Sequence, residues 1–270
     1  MDKAANTTFD PVQALAAAKS AAQLGARVLL DYFGRLTKVS EKFQAGLVSE
    51  ADVASEKVIQ AELERLYPAH FLGEESSGGA SPPWPTTGNW WIVDPLDGTT
   101  NYVHRFPIFC ISIGLMWQGE LVLGLVDMPM LNVTYTAVKG GGAFRNGEPI
   151  KVSERKQIRD TLLATGFFRD KPEALRQQLH IFEKLVFEAR GIRRAGAAAY
   201  DLCLVAEGVF DAFWEKNLAP WDTVAGTVLV REAGGLVTDY KGQTYQHNAD
   251  SILAASQAIH PLLLDQVRRV

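Results

Sequence analysis

Asp94 and Asp97 stand three residues apart on a Pro/Gly turn, at the end of the apolar run 90–93. Such a run reads as a buried strand. Two carboxylates at a strand end supply the oxygen ligands that a hard ion such as Mg²⁺ requires. Gly98 and Thr99 follow at once, and their backbone N–H groups and the Thr hydroxyl can face a phosphate held by that metal. The chemistry this suggests is metal-dependent phosphoryl transfer. Glu74, in Gly-Glu-Glu-Ser at 73–76, and Asp222, at the start of an apolar helix, complete the acidic set. Four carboxylates gathered at element ends repel one another, and divalent cations remove that cost. The simpler reading of each is a solvated acid, a cap or a turn residue; Asp is a common helix N-cap.

These residues must be positioned by elements that the chain announces. Asp10-Pro11 starts a helix, with a capping Asp and Pro at the first helical position. Val12, Leu15, Ala16, Leu24, Val28, Leu29, Tyr32 and Phe33 give it a broad apolar face, and Gly34 ends it. Ser49 with Asp52 forms a capping box for a second helix, with Ile59, Leu63 and Leu66 as its stripe and Pro68 as its stop. The polar stretch 38–48 between them reads as a strand pair or a mobile loop. The Ser/Gly/Pro/Thr-rich stretch 76–89 reads as a loop. Strands at 109–117 and 121–126 flank a short hairpin turn, and 133–138 follows. Gly140 to Gly142 and Asn146-Gly147 are turn signals. This half is expected to be an antiparallel sheet. Beyond Lys151 the pattern alternates: strands at 161–165, 209–214 and 252–255, and helices at 172–189, 197–207, 221–233 and 260–270. The fold class is therefore layered α/β. The chain is expected to be one domain, 1–270, with an antiparallel-sheet half at 1–150 and an α/β half at 151–270.

The 270 residues are 47% hydrophobic and 21% charged, enough for a sizeable core. Net charge is −4, so overall charge gives no support to nucleic acid as a primary partner. Cys110 and Cys203 lie in apolar runs and read as buried, reduced thiols. No segment approaches the apolar run of about 20 residues that a membrane span needs, and the N-terminus has no signal-peptide core. A cytoplasmic location is the expectation, with no membrane partner. Gly140 to Gly142 lacks the Lys and Ser/Thr of a phosphate loop. Trp84, Trp90, Trp91 and Trp117 read as packing aromatics.

Three segments, G-E-E-S at 73–76, D-P-L-D-G-T-T-N-Y-V-H at 94–104 and W-D-T-V-A-G at 221–226, occur in order. In these the chain resembles the inositol monophosphatase family of Mg²⁺-dependent, Li⁺-sensitive phosphatases, over nearly its whole length. The resemblance implies an αβαβα sandwich of the inositol monophosphatase / fructose-1,6-bisphosphatase type and a homodimer. It implies two to three Mg²⁺ ions per active site. Asp94 bridges two of them; Glu74 and the Leu96 carbonyl join it at the first, Asp97 and Asp222 at the second. Thr99 and Glu74 activate the attacking water, with Asp52 as the acceptor that orients Thr99; Asp52 equally reads as a first-turn helix acid. His104 is structural. Substrate contacts fall to Asp97, Gly98, Thr99, Asp222, Glu215 and the segment Gly196-Ala197-Ala198, where Ala197 stands in place of the family Thr. Lys42 matches a Lys near the third ion, on a loop one residue shorter than in animal members. The substrate implied is inositol 1-phosphate or another small phosphorylated polyol or sugar. Adenosine 3′,5′-bisphosphate, fructose 1,6-bisphosphate, NADP and histidinol phosphate are alternatives on the same fold. A non-catalytic or moonlighting RNA- or transcription-associated role is the alternative from another class.

Overall fold

A computed structural model describes residues 8–42, 46–78, 84–168 and 171–269, with side chains excepted at positions 41 and 42. Helix α1 (Pro11–Tyr32) starts where Asp10 Oδ1 accepts the Val12 and Gln13 N–H groups at 3.0 Å each. Its buried face is almost all alanine: Ala14, Ala17, Ala18, Ala21 and Ala22, then Gly25 and Leu29. This differs from the broad apolar face expected. Val12 is 77% exposed, because small residues let the helix settle close to its neighbour and leave the larger side chains outside. A Cβ at Gly25 would lie 2.7 Å from Ile59 Cδ1. Strands β1 (Val39–Lys42) and β2 (Gly46–Ser49) pair antiparallel, so part of the 38–48 stretch is the anticipated strand pair. Helix α2 (Glu50–Leu66) carries the predicted capping box, though Leu66 is 38% exposed and lies off the buried stripe.

The first sheet follows: β3 (His70–Gly73), β4 (Trp90–Asp97), then after helix α3 (Thr99–Val103) β5 (Cys110–Trp117), β6 (Glu120–Met128), β7 (Val133–Val138), β8 (Gly142–Arg145) and β9 (Glu148–Ile150). Among the described residues these form one seven-stranded sheet in chain order. It is antiparallel except where β3 runs parallel to β4. Two-residue turns close β5–β6 at Gln118-Gly119 (φ 50° and 84°) and β8–β9 at Asn146-Gly147 (φ 50° and 88°), the left-handed geometry that suits the strand twist.

The second half supplies β10 (Leu162–Thr165), α4 (Pro172–Glu188), β11 (Gly191–Arg193), α5 (Ala198–Ala206), β12 (Ala212–Lys216), α6 (Pro220–Glu232), β13 (Leu236–Thr238), β14 (Ser251–Ala255) and α7 (His260–Val267). Its sheet runs β11-β10-β12-β14-β13. The strand expected from 209 begins only at Ala212. Val209 and Phe210 donate their N–H groups to the Leu204 carbonyl (2.9 and 3.0 Å) and finish the turn after α5. Helices α1 and α2 cover one face of the first sheet, α5 and α6 lie between the sheets, and α4 and α7 cover the outer face of the second. The order of layers is αβαβα. No helix among the described residues is long and apolar enough to cross a membrane.

Two glycines seat α6 against the first sheet. A Cβ at Gly124 would lie 2.4 Å from the Ala225 carbonyl oxygen, and one at Gly114 would lie 2.1 Å from Val224 Cγ1. The helix backbone therefore rests directly on β6, and its Val224 side chain rests on β5. Ser112 Oγ, on β5, donates to the Trp221 carbonyl at 2.9 Å and pins the first turn of α6.

Candidate active site

Strand β4 loses register with β5 between Asp94, opposite Ser112, and Asp97, opposite Cys110. Pro95 has no N–H to give to the ladder, so the strand bulges there. The bulge places both carboxylates at the strand end. Asp94 Oδ1 accepts the Leu96 N–H at 2.9 Å, and the Pro95 carbonyl accepts the Ser55 hydroxyl at 3.1 Å. Gly98 then turns the chain at φ 95°, where a Cβ would sit 3.0 Å from the Ile108 carbonyl oxygen.

Thr99 Oγ1 lies 3.0 Å from Asp52 Oδ1 and 3.1 Å from the Leu96 carbonyl. Asp52 is fully buried, and its other oxygen accepts the Ser49 N–H (2.8 Å) and hydroxyl (2.5 Å). The two readings of Asp52 thus hold together: it completes a capping box and accepts from Thr99. A hydroxyl carries one proton and two lone pairs. With that proton held by Asp52, the Thr99 oxygen is left to accept one from water.

Glu74 is the first residue beyond β3, and its N–H donates to the Val93 carbonyl at 3.1 Å, next to Asp94. The turn that follows is held from below by Glu56. This buried carboxylate accepts the Glu75 N–H at 2.8 Å and the Ser76 N–H at 2.7 Å. A Cβ at position 73 would lie 2.3 Å from Glu56 Oε2, so a larger residue there would displace the carboxylate that holds the turn. Asp222 is the third residue of α6, and its Oδ2 reaches back to the Ala219 N–H at 2.7 Å. Asp97 Oδ2 accepts the Ala199 N–H at 2.7 Å, with Cys110 Sγ at 3.6 Å. The N-terminal amides of α5, expected to face substrate, are thus partly taken by Asp97. Cys110 and Cys203 are buried free thiols.

Burial pushes Asp94 well above the usual carboxylate range, and the nearby charges of Glu74, Asp97 and Asp222 push it further. Asp222 is raised in the same way, by burial and then by Asp97 and Glu74. Asp97 is pushed up to about 6 by burial, against the pull of the Ala199 and Ala198 N–H groups and the Cys110 thiol. The four acids therefore share one field. Among the described residues they do not close into a ready-made cage of three or more ligating side chains. The donor set still fits a hard divalent cation: it is all oxygen, largely buried and mutually repulsive, so charge compensation is what it lacks.

A cavity of about 130 Å³ joins this centre to the second sheet. Asp97 and Asp222 form one wall; Gly196, Ala197, Ala198 and Glu215 form another. Gly98 and Thr99 lie at the β4 end, outside this lining. Glu215 lies within β12, and its Oε2 would be 2.0 Å from a Cβ at Gly166. Burial drives it up to about 8, with the Arg194 charge pulling the other way. Asp201 and Arg194, not anticipated, line the same cavity. Asp201 is 2% exposed, and its Oδ1 has no hydrogen-bond partner among the described residues. A single acid inside the apolar helix 198–206 is the signal that would have found it. Lys42 ends β1, and its side chain lies outside the described residues.

A profile of the inositol monophosphatase family matches residues 10–270. Nus factor SuhB of Pseudomonas aeruginosa is 40% identical over 259 residues, covering 94% of this chain and 94% of that protein. A fructose-1,6-bisphosphatase/inositol-1-monophosphatase of Aquifex aeolicus is 36% identical over 258 residues, 94% and 95% of the two chains. The solved inositol monophosphatase of Anabaena (Nostoc) sp. PCC 7120 superposes with a TM-score of 0.83 at 37% identity, covering 95% of each chain. Together with the acidic centre at the ends of β3, β4 and α6, these matches make the chain a phosphatase of the inositol monophosphatase family.

Proposed function

We propose that the chain is a Mg²⁺-dependent phosphomonoesterase whose preferred substrate is inositol 1-phosphate or a closely similar polyol phosphate. One observation carries this reading: two of the carboxylates fit for metal, Asp97 and Asp222, line one cavity with those fit for hydroxyl groups, Glu215 and Asp201. Glu74, Asp94, Asp97, Asp222 and the Leu96 carbonyl are the groups that would hold the cations. Bound Mg²⁺ would make the attacking water more acidic and supply a charge clamp on the oxygens that attack and leave. Thr99, its proton held by Asp52, orients the attacking water together with Glu74. The Gly98 and Thr99 N–H groups bind the phosphate. Glu215 accepts hydrogen bonds from hydroxyls of the polyol. Ala197 offers no hydroxyl there, so discrimination among polyols is modest. A homodimer in the cytoplasm and Li⁺ sensitivity belong to the same reading.

The test is phosphate release from inositol 1-phosphate, glycerol 2-phosphate, fructose 1,6-bisphosphate, adenosine 3′,5′-bisphosphate, NADP and histidinol phosphate, with and without Mg²⁺. The expected result is strict Mg²⁺ dependence, with inositol 1-phosphate giving the largest kcat/KM. A bisphosphate or NADP preferred by tenfold or more would replace the substrate assignment. Glu215→Gln should lower kcat/KM for inositol 1-phosphate by up to about tenfold, the worth of one polar contact, and spare a simple aryl phosphate. Equal losses on the two substrates would remove Glu215 from substrate binding.

Glu56 is a positioning residue in this scheme. Glu56→Gln replaces one acceptor oxygen with an amide that cannot accept, so the turn carrying Glu74 loses a charge-assisted bond. The Mg²⁺ concentration at half-maximal rate should rise by about 10- to 100-fold, as for other groups that support metal ligands. An unchanged Mg²⁺ requirement would show that the turn holds itself.

A further inference from the structure

On the far side of α6 from the acidic centre lies a second cavity, of about 340 Å³, which nothing in the proposed reaction uses. That volume lies within the range of small-molecule sites. Its lining includes Trp84, Leu121, Lys139, Val228, Arg231 and His247. Most polar groups there are already engaged. Lys139 pairs with Glu120 at 2.6 Å, and Glu232 accepts the Gly140 and Gly142 N–H groups at 2.9 and 3.0 Å.

Two groups are not spent. His247 is 5% exposed, and its Nε2 has no hydrogen-bond partner among the described residues. Its Nδ1 lies 2.9 Å from Thr223 Oγ1. That hydroxyl receives the Tyr245 hydroxyl at 3.4 Å and reaches the backbone carbonyls of Ala219 and Pro220 only at 3.5 and 3.3 Å. Assigning the Thr223 proton to Nδ1, the shortest of these contacts, places the imidazole N–H on Nε2. Burial holds the ring neutral, its pKa lowered to about 3. The cavity thus presents a buried donor without an acceptor, a costly arrangement in a folded protein. The second group is Arg231. Of its five N–H donors, one reaches the Tyr245 carbonyl at 3.3 Å, and no carboxylate among the described residues pairs with it.

We propose that this cavity is a second small-molecule site and that it takes a planar aromatic monocarboxylate. The carboxylate accepts from Arg231 and from His247 Nε2. The ring lies against Trp84, whose indole already stacks on His247 at 4.9 Å, and against the Leu121 and Val228 side chains. One unpaired cation matches one negative charge. The nearby Glu120 and Glu232 disfavour a dianion such as a phosphate monoester. The site is separate from the acidic centre and does not depend on the substrate assigned above. It adjoins that centre's helix, whose Val228, Arg231 and Glu232 line the cavity and whose Thr223, next to Asp222, bonds His247.

Calorimetric titration with 2-naphthoate tests the assignment, with 2-naphthamide as its uncharged counterpart. The expected result is one saturable site with Kd below about 1 mM. Binding should be about tenfold weaker for the amide and for the exposed-position variant Arg231→Met, as expected for a charge-assisted contact. Asp94→Asn and added inorganic phosphate should leave it unchanged. His247→Phe keeps the ring stack and removes the donor, and should also weaken binding; if it does not fold, Arg231→Met decides alone. Absence of saturation, equal affinity for the amide, an unaltered Arg231→Met variant, or displacement by phosphate would each overturn the proposal.

Discussion

Asp94→Asn is expected to lower kcat/KM for phosphate release at least a thousandfold and to raise the melting temperature of the metal-free protein. Both effects come from one cause. The Asp94 carboxylate is buried beside Glu74, Asp97 and Asp222, and each of these surroundings opposes its charge. Asparagine keeps an oxygen for the Leu96 N–H and removes the charge. Metal-ion catalysis supplies several kcal/mol, and about 4 kcal/mol corresponds to a thousandfold in rate. Each kcal/mol of relief in the fold is worth about 2–4 °C for a chain of this size. The check is kcat/KM at saturating Mg²⁺ together with melting in chelator. Near-normal turnover, or a lower metal-free melting temperature, would refute the assignment of Asp94 as a metal ligand held under repulsion.

The second large effect is on pH dependence. A carboxyl group whose pKa is raised by folding stabilises the fold below its unfolded pKa, and that contribution is lost as pH rises through the folded value. Asp97 rises from 3.8 to about 6 and Glu215 from 4.5 to about 8. At about 1.4 kcal/mol per unit, each represents a few kcal/mol. His247, lowered from 6.5 to about 3, acts in the opposite sense, gaining stability as pH rises toward 6.5. The fall in stability is therefore cleanest from pH 6.5 to 8, where Glu215 is still titrating. Metal-free protein should melt several degrees lower at pH 8 than at pH 6.5, and Glu215→Gln should flatten that slope. A melting temperature that rises over this interval in the wild-type protein would contradict the burial of an ionising Glu215.

What the sequence disclosed was local. The Asp94–Asp97 spacing around Pro95, the Ser49–Asp52 box and the Asn146-Gly147 turn are each specified within a few residues, and each appears as read. What it concealed needed a partner far along the chain. Glu56 sits among charged residues of α2 and reads as a solvated acid; only the N–H groups of Glu75 and Ser76, on another element, explain its burial. Asp201 and Arg194 gain meaning only when β12 brings Glu215 beside them. The three-residue strands β11 and β13 are too short to show a periodicity. Val209 and Phe210 look like the start of a strand because apolar content alone cannot separate a strand from the end of a helix.

The glycine seat under α6 bears on how this molecule can change over generations. The distance of α6 from β6 is set at Gly124 by backbone resting on backbone, with no side chain there to enlarge or trim. A lineage cannot adjust that distance in small steps; any substitution at Gly124 lifts the whole helix at once. The opposite wall is made of ordinary side chains, Ala197, Asp201 and Glu215, each replaceable singly. Selection for a new phosphate ester therefore has only one wall on which to work, and descendants of such a chain would diverge in what they accept while staying uniform in how they cleave it.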